Sequence, residues 1–115
     1  MKRGDVVLAF YPFSSGIGGS RRPALVVQSD FYNDKLANVV IAQITTTAKN
    51  AHDRANIPIS IGTPLGRQSG LLHDSVVSCI NLATIHGGRI DRIIGCLSPD
   101  LMKSVDAGLR IALSL

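Results

Sequence analysis

Three short runs rich in Val, Ile and Leu dominate the first half of the chain: Asp5 to Phe10, Ala24 to Gln28 and Asn38 to Thr45. Each is bounded by turn formers, which predicts strands buried on at least one face. Between the first two, Tyr11 to Arg22 is crowded with Gly and Ser, a composition that holds no regular element and predicts a flexible, exposed loop. Ile57 to Ile61 alternates in polarity with Pro58 inside it, so an edge strand or strand start is expected, where a missing N–H is tolerated. Gly62 to Gly70 reads as a second loop. Ser75 to Ile80 and Arg92 to Leu97 complete the strand set, with a turn at Gly87-Gly88 between them.

The period then changes. Ser98 can cap a helix, Pro99 suits its first turn, Asp100 favours its positive end, and Leu101, Val105, Leu109 and Ala112 share one face. Gly108 weakens this helix, and Asp106 and Arg110 form a supporting pair on the opposite face. A run of antiparallel strands closed by one amphipathic helix predicts a mainly β fold, a small curled sheet or open barrel with a C-terminal helix.

Composition narrows the chemistry. The 115 residues fit one compact domain spanning 1–115, without internal repeats. Lys and Arg outnumber the acids for a net charge of +4, which favours a polyanion such as nucleic acid or an acidic protein segment. All eight acids are Asp, so Glu is removed as a general base and that role falls to His or Asp. The apolar run Val6 to Phe10 is too short for a signal-peptide core, and no stretch approaches the roughly 20 apolar residues of a membrane span. Cys79 and Cys96 each sit in an apolar stretch outside any CxxC pair, which reads as two buried thiols in a cytoplasmic protein.

Two familiar site types are disfavoured. Gly16 to Gly19 lacks the following Gly-Lys-Ser/Thr of a phosphate-binding loop, and His52, His73 and His86 are scattered without ligand spacing, so neither a nucleotide cofactor nor a metal is expected. A stronger set is Arg21-Arg22-Pro23 at the loop exit with Thr45-Thr46-Thr47 at the end of the third strand. If the second and third strands are antiparallel, an arginine and a threonine meet. Cleaving RNA through its own 2′-hydroxyl needs proton removal, stabilisation of a crowded phosphorane and protonation of the leaving 5′-oxygen. A guanidinium suits the second need, since its planar donors match phosphate oxygens. Spacing alone leaves the plainer alternative open: Arg22 as a solvated loop charge and the threonines as strand continuation. Tyr11 and Phe13 are likewise open between stacking on splayed bases and capping a core.

The ordered set Lys2-Arg3-Gly4-Asp5-Val6, Arg22-Pro23-Ala24-Leu25-Val26-Val27, Ala42-Gln43-Ile44-Thr45, Gly70-Leu71, Asp74-Ser75-Val76-Val77, Thr84-Ile85 and Arg89-Ile90 extends through Ile94-Gly95-Cys96-Leu97-Ser98 to Met102, Val105-Asp106 and Leu109. In this order and spacing the chain resembles the MazF/PemK family of toxin endoribonucleases over nearly its full length. The resemblance implies a curled, SH3-like barrel of the MazF/CcdB type, a homodimer, and a groove that binds single-stranded RNA. It implies metal- and cofactor-free cleavage to 2′,3′-cyclic phosphate and 5′-hydroxyl ends, and silencing by a cognate antitoxin with an acidic tail. By the same resemblance Arg22 and Thr45 act at the scissile phosphate, Arg22 by charge stabilisation and Thr45 through a hydrogen bond. Phe13, Arg21, Thr46, Thr47 and Asn81 are the expected RNA contacts. Many relatives carry a Glu before the arginine and an Arg near Ala83, and this chain has neither, which leaves the general base unassigned. Two other outcomes share the fold: a nucleic-acid-binding module without catalysis, and a gyrase poison of the CcdB type. The latter activity is tied by resemblance to a tryptophan near the C-terminus, and this chain has no Trp.

Overall fold

The structure is a computed structural model that describes residues 1–10, 21–46 and 53–115. Its elements in chain order are β1 (Asp5–Phe10), β2 (Arg21–Val26), α1 (Asp30–Asn33), β3 (Asn38–Thr45), β4 (Asn56–Ile59), α2 (Pro64–Gln68), β5 (Ser75–His86), a 3-10 turn at Gly87–Arg89, β6 (Ile90–Cys96) and α3 (Pro99–Leu113). The strands form one six-stranded sheet in the order β4-β5-β3-β2-β1-β6, and every pairing is antiparallel.

Both faces of the sheet are apolar, because side chains alternate sides along each strand. Val6, Leu25, Ala42, Ile44, Ile57, Val77 and Cys79 bury on one side together with Val105 of α3. Val7, Ala9, Ala24, Val26, Val39, Ile41 and Ile85 bury on the other. Helix α3 covers the first side with the predicted stripe: Val105 is fully buried, and Leu101, Leu109 and Ala112 pack around it. Ser98 caps it, its Oγ accepting the Leu101 N–H at 3.2 Å, with Pro99 in the first turn.

The sheet curls until the segment after β4 reaches β6 at the far edge. Gly70, at φ +74°, lies so close to β6 that a Cβ would sit 2.0 Å from the Ile94 carbonyl oxygen. Gly95 answers it, since a Cβ there would lie 2.4 Å from the Ser69 backbone. Only paired glycines let the two backbones meet.

Several boundaries differ from expectation. β2 starts at Arg21 and ends at Val26, because Phe10 pairs Arg21 across β1. Gln28 has left the ladder, and its Nε2 donates instead to the Asn38 carbonyl at 3.0 Å. β5 does not stop at Ile80 but continues to His86 through a wide bulge. Ala42 of β3 pairs Leu82 and the next residue, Gln43, pairs Ser78, so Cys79, Ile80 and Asn81 have no β3 partner. β4 and β6 begin and end one or two residues earlier than their apolar runs, and the expected Gly62 to Gly70 loop contains α2, capped by Thr63. Asp106 pairs with Arg3 at 2.8 Å rather than with Arg110. Cys79 is buried as expected, and Cys96 only partly so.

Candidate active site

The β2/β3 ladder pairs Val26 with Ile41, Leu25 with Ala42 and Ala24 with Gln43. Followed two residues further, the same register sets Arg22 across from Thr45, with Cβ atoms of such partners typically about 5 Å apart. Alternation puts Arg22 on the side of Ala24, and Thr45 on the side of Gln43. That is the side opposite α3, because Ala24 belongs to the second core cluster. Arg22 is exposed at the strand start, Thr45 is half-buried at the strand end, and Thr45 pairs onward with Val76 of β5.

The same side collects further polar groups. Gln43 pairs Ser78, and Ser78 in turn pairs Asn56 of β4. Asn81, at the bulge, donates from its side-chain Nδ2 to Ser78 Oγ at 2.8 Å, which anchors an otherwise exposed residue beside the Gln43 row. Arg21 points the other way from Arg22 and reaches over β1 to β6, where its Nη1 meets Asp91 Oδ2 at 2.7 Å. Thr46 follows the strand and lines a hollow between the ends of β4 and β5. Phe13 and Thr47 lie outside the described residues, as does His52.

The structure therefore brings Arg22, Thr45 and Asn81 to one side, and places Thr46 at its edge and Arg21 on the opposite side. Gln43 and Ser78 share the Thr45 side and were missed from the sequence. Counting back by two from Thr45 finds Gln43, but nothing local reveals that the β5 bulge brings Ser78 opposite it.

The histidines separate by position along the strands. His86 pairs Asn38, at the opposite end of β3 from Thr45, a separation of roughly 24 Å at ~3.4 Å per residue. Its Nδ1 accepts the Gly88 N–H at 2.9 Å and caps the 3-10 turn. His73 is exposed just before β5, at the Thr45 end. Among the described residues, no three His, Cys or Asp side chains gather as a metal-binding group, and no helix is long and apolar enough to cross a membrane.

A curled antiparallel sheet with a terminal helix, basic overall and carrying an exposed arginine at its rim, defines a small open β-barrel. The Mycobacterium tuberculosis toxin MazF-mt6 has this fold, with a TM-score of 0.78 at 26% identity over 96% of this chain and 97% of that one. A mycobacterial endoribonuclease in complex with its cognate antitoxin superposes with a TM-score of 0.78 at 23% identity, over 100% of this chain and 96% of that one. Endoribonuclease MazF6 of M. tuberculosis is 35% identical over 105 residues, covering 90% of this chain and 88% of the relative. The chain belongs to the PemK-like, MazF-like toxins of type II toxin–antitoxin systems, whose family profile matches residues 2–113.

Proposed function

We propose that this toxin is an endoribonuclease that cuts single-stranded RNA at short sequences without a metal ion, using the 2′-hydroxyl of the substrate as nucleophile. The observation that carries this reading is the β2/β3 ladder, whose register, continued two residues past its last pair Ala24–Gln43, sets Arg22 opposite Thr45 on an accessible rim of the sheet. In the reaction the 2′-oxygen loses its proton and bonds to phosphorus. The P–O5′ bond breaks, and the departing oxygen takes up a proton, leaving a 2′,3′-cyclic phosphate and a 5′-hydroxyl. Arg22 neutralises the charge that builds on the non-bridging oxygens. Thr45 hydrogen-bonds the phosphate or the attacking hydroxyl. Arg22 is not the base, because guanidinium holds its proton near neutral pH.

The toxin works as a homodimer in the cytoplasm, and its antitoxin lays an acidic segment over the RNA-binding side. The net charge of +4 favours that segment and the RNA alike. The test is incubation with a long unstructured RNA in excess EDTA, followed by end analysis. Fragments whose 5′ ends accept a label from polynucleotide kinase without prior phosphatase treatment are expected. Fragments with 5′-phosphates, or cleavage that EDTA abolishes, would refute the mechanism; binding without cleavage would mark an inactive module.

A further inference from the structure

Beside Thr45 lies a hollow of about 240 Å³, with Thr46, Pro58, Ser60, Asp74 and Val76 among its walls. Its position follows from the register, because Thr45 pairs Val76 across β3 and β5, and Val76 pairs Pro58 across β5 and β4. At roughly 4.8 Å between neighbouring strands, Pro58 stands about 10 Å from Thr45. A group held there is a close neighbour of whatever Thr45 holds.

The walls are mostly apolar, with Val76 and Ile59 buried and Pro58 exposed at the opening. Pockets for drug-sized ligands begin near roughly 300 Å³, so this one suits a single planar ring system. Its polar residues are Thr46, Ser60, Asp74 and Ser75, and the Ser75 hydroxyl already donates to the His73 carbonyl at 2.7 Å. Asp74 Oδ1 accepts the Ile61 N–H at 2.9 Å, and its Oδ2 makes no hydrogen bond among the described residues. An ionised carboxylate only accepts hydrogen bonds. It repels a phosphate and welcomes an N–H donor.

We infer that this hollow is a nucleobase subsite, in which one base next to the scissile phosphate lies against Pro58 and Val76 and donates an amino N–H to Asp74. The inference rests on the endoribonuclease reading. Adenine, cytosine and guanine each carry an exocyclic amino group, whereas the single ring N–H of uracil is flanked by two carbonyl oxygens that a carboxylate repels. The subsite therefore favours an amino-bearing base over uracil at one position of the cleaved sequence.

The experiment compares single-turnover cleavage of matched oligoribonucleotides, varied one position at a time around the mapped scissile bond, by the unaltered protein and by Asp74→Asn. The amide keeps an oxygen for Ile61 and replaces the other with a donor. At one position the unaltered toxin should prefer an amino-bearing base, and in Asp74→Asn the preference for adenine or cytosine over uracil should fall about tenfold, the size of one base-edge hydrogen bond. An unchanged preference profile in a folded, active Asp74→Asn protein would overturn the subsite while leaving the nuclease reading intact. No cleavage by the unaltered toxin would overturn both. If Asp74→Asn does not fold, Ser60→Phe fills the hollow from an exposed position. It should slow cleavage of the preferred RNA but not of RNA that is abasic at that position, and equal rates of the two proteins on the preferred RNA would refute the subsite.

Discussion

Removing the guanidinium and the hydroxyl separately and together tests whether Arg22 and Thr45 act on one phosphate. Arg22 is exposed at a strand start, so Arg22→Ala should change stability by no more than about 0.5 kcal/mol. Thr45→Val keeps the β-branched shape within β3 and removes one hydroxyl, a net cost of about 1 kcal/mol. The effect on the chemical step is larger: one preorganised donor to a developing oxyanion contributes 10²–10³ in rate, or about 2.7–4 kcal/mol. Independent roles would multiply to roughly 10⁴–10⁶ in the double variant. Because the β2/β3 register, continued past Ala24–Gln43, sets the two residues across from each other, they should share the phosphate, and the double variant should lose little more than the less active single one. Arg22→Lys should fall between, since it keeps the charge but loses the planar fork. The assay is single-turnover cleavage of one mapped site, with thermal unfolding as the folding control. A fully multiplicative double variant, or a folded Arg22→Ala protein with unchanged kcat, would refute the shared-phosphate reasoning.

Gln43→Leu removes an amide that shares the Thr45 side and bonds to none of the described residues. It should weaken binding of a non-cleavable 2′-O-methyl RNA about five- to tenfold, the value of one hydrogen bond near 1 kcal/mol, and unchanged affinity would remove Gln43 from the site. Gly108→Ala should destabilise by up to about 2 kcal/mol, since overpacking costs roughly 1–3 kcal/mol and the helix gains back about 1; the new Cβ would lie 2.9 Å from Cys79 Sγ. In a Cys79→Ala background the same change should stabilise, and urea unfolding at fixed protein concentration measures both. Burial pushes the Cys79 thiol from its ordinary 9.0 up to about 11, so native protein should alkylate at Cys96 alone, with mass spectrometry locating the label. With the folded pKa raised, the contribution of Cys79 to stability is fully present below about pH 9 and is lost as pH rises through about 11. A pH-independent urea midpoint over that range in the wild type would contradict the assignment.

What was legible in the sequence followed local rules. β1, β3 and the cap and buried stripe of α3 occur where the apolar runs and Ser98-Pro99 place them, because alternation and helical period are local consequences of burying one face. α1 and α2, of four and five residues, are too short to show a period. The β5 bulge was illegible because Ile80-Asn81 reads as a strand end. Its continuation depends on the pairing of Leu82 to His86 with β3. Gly108 is the clearest conflict between levels: helix propensity counts it as a weakness, while packing against Cys79 leaves no room for a methyl group. Asp106 shows the same priority, since the guanidinium of Arg3, 103 residues away in sequence, takes it from Arg110.

The site divides along the same line. Arg22 and Thr45 lie near the facing ends of adjacent antiparallel strands, so chain order alone makes them neighbours once the topology is granted. Arg21, one residue earlier, carries the same charge, yet strand alternation turns it to the other side and Asp91 holds it there. Charge therefore identifies the loop exit, and only the pleat decides which of the two arginines shares a side with Thr45. The hollow beside Thr45 has no such linear signature, because its walls come from residue 46, residues 58–60 and residues 74–76, three segments joined only by cross-strand register. Specificity built this way can change through Pro58, Ser60 or Asp74 without touching Arg22 or Thr45. If the hollow reads a base as inferred, a substitution there should slow cleavage at the preferred sequence and narrow its lead over other sequences, while Arg22 and Thr45 stay as they are.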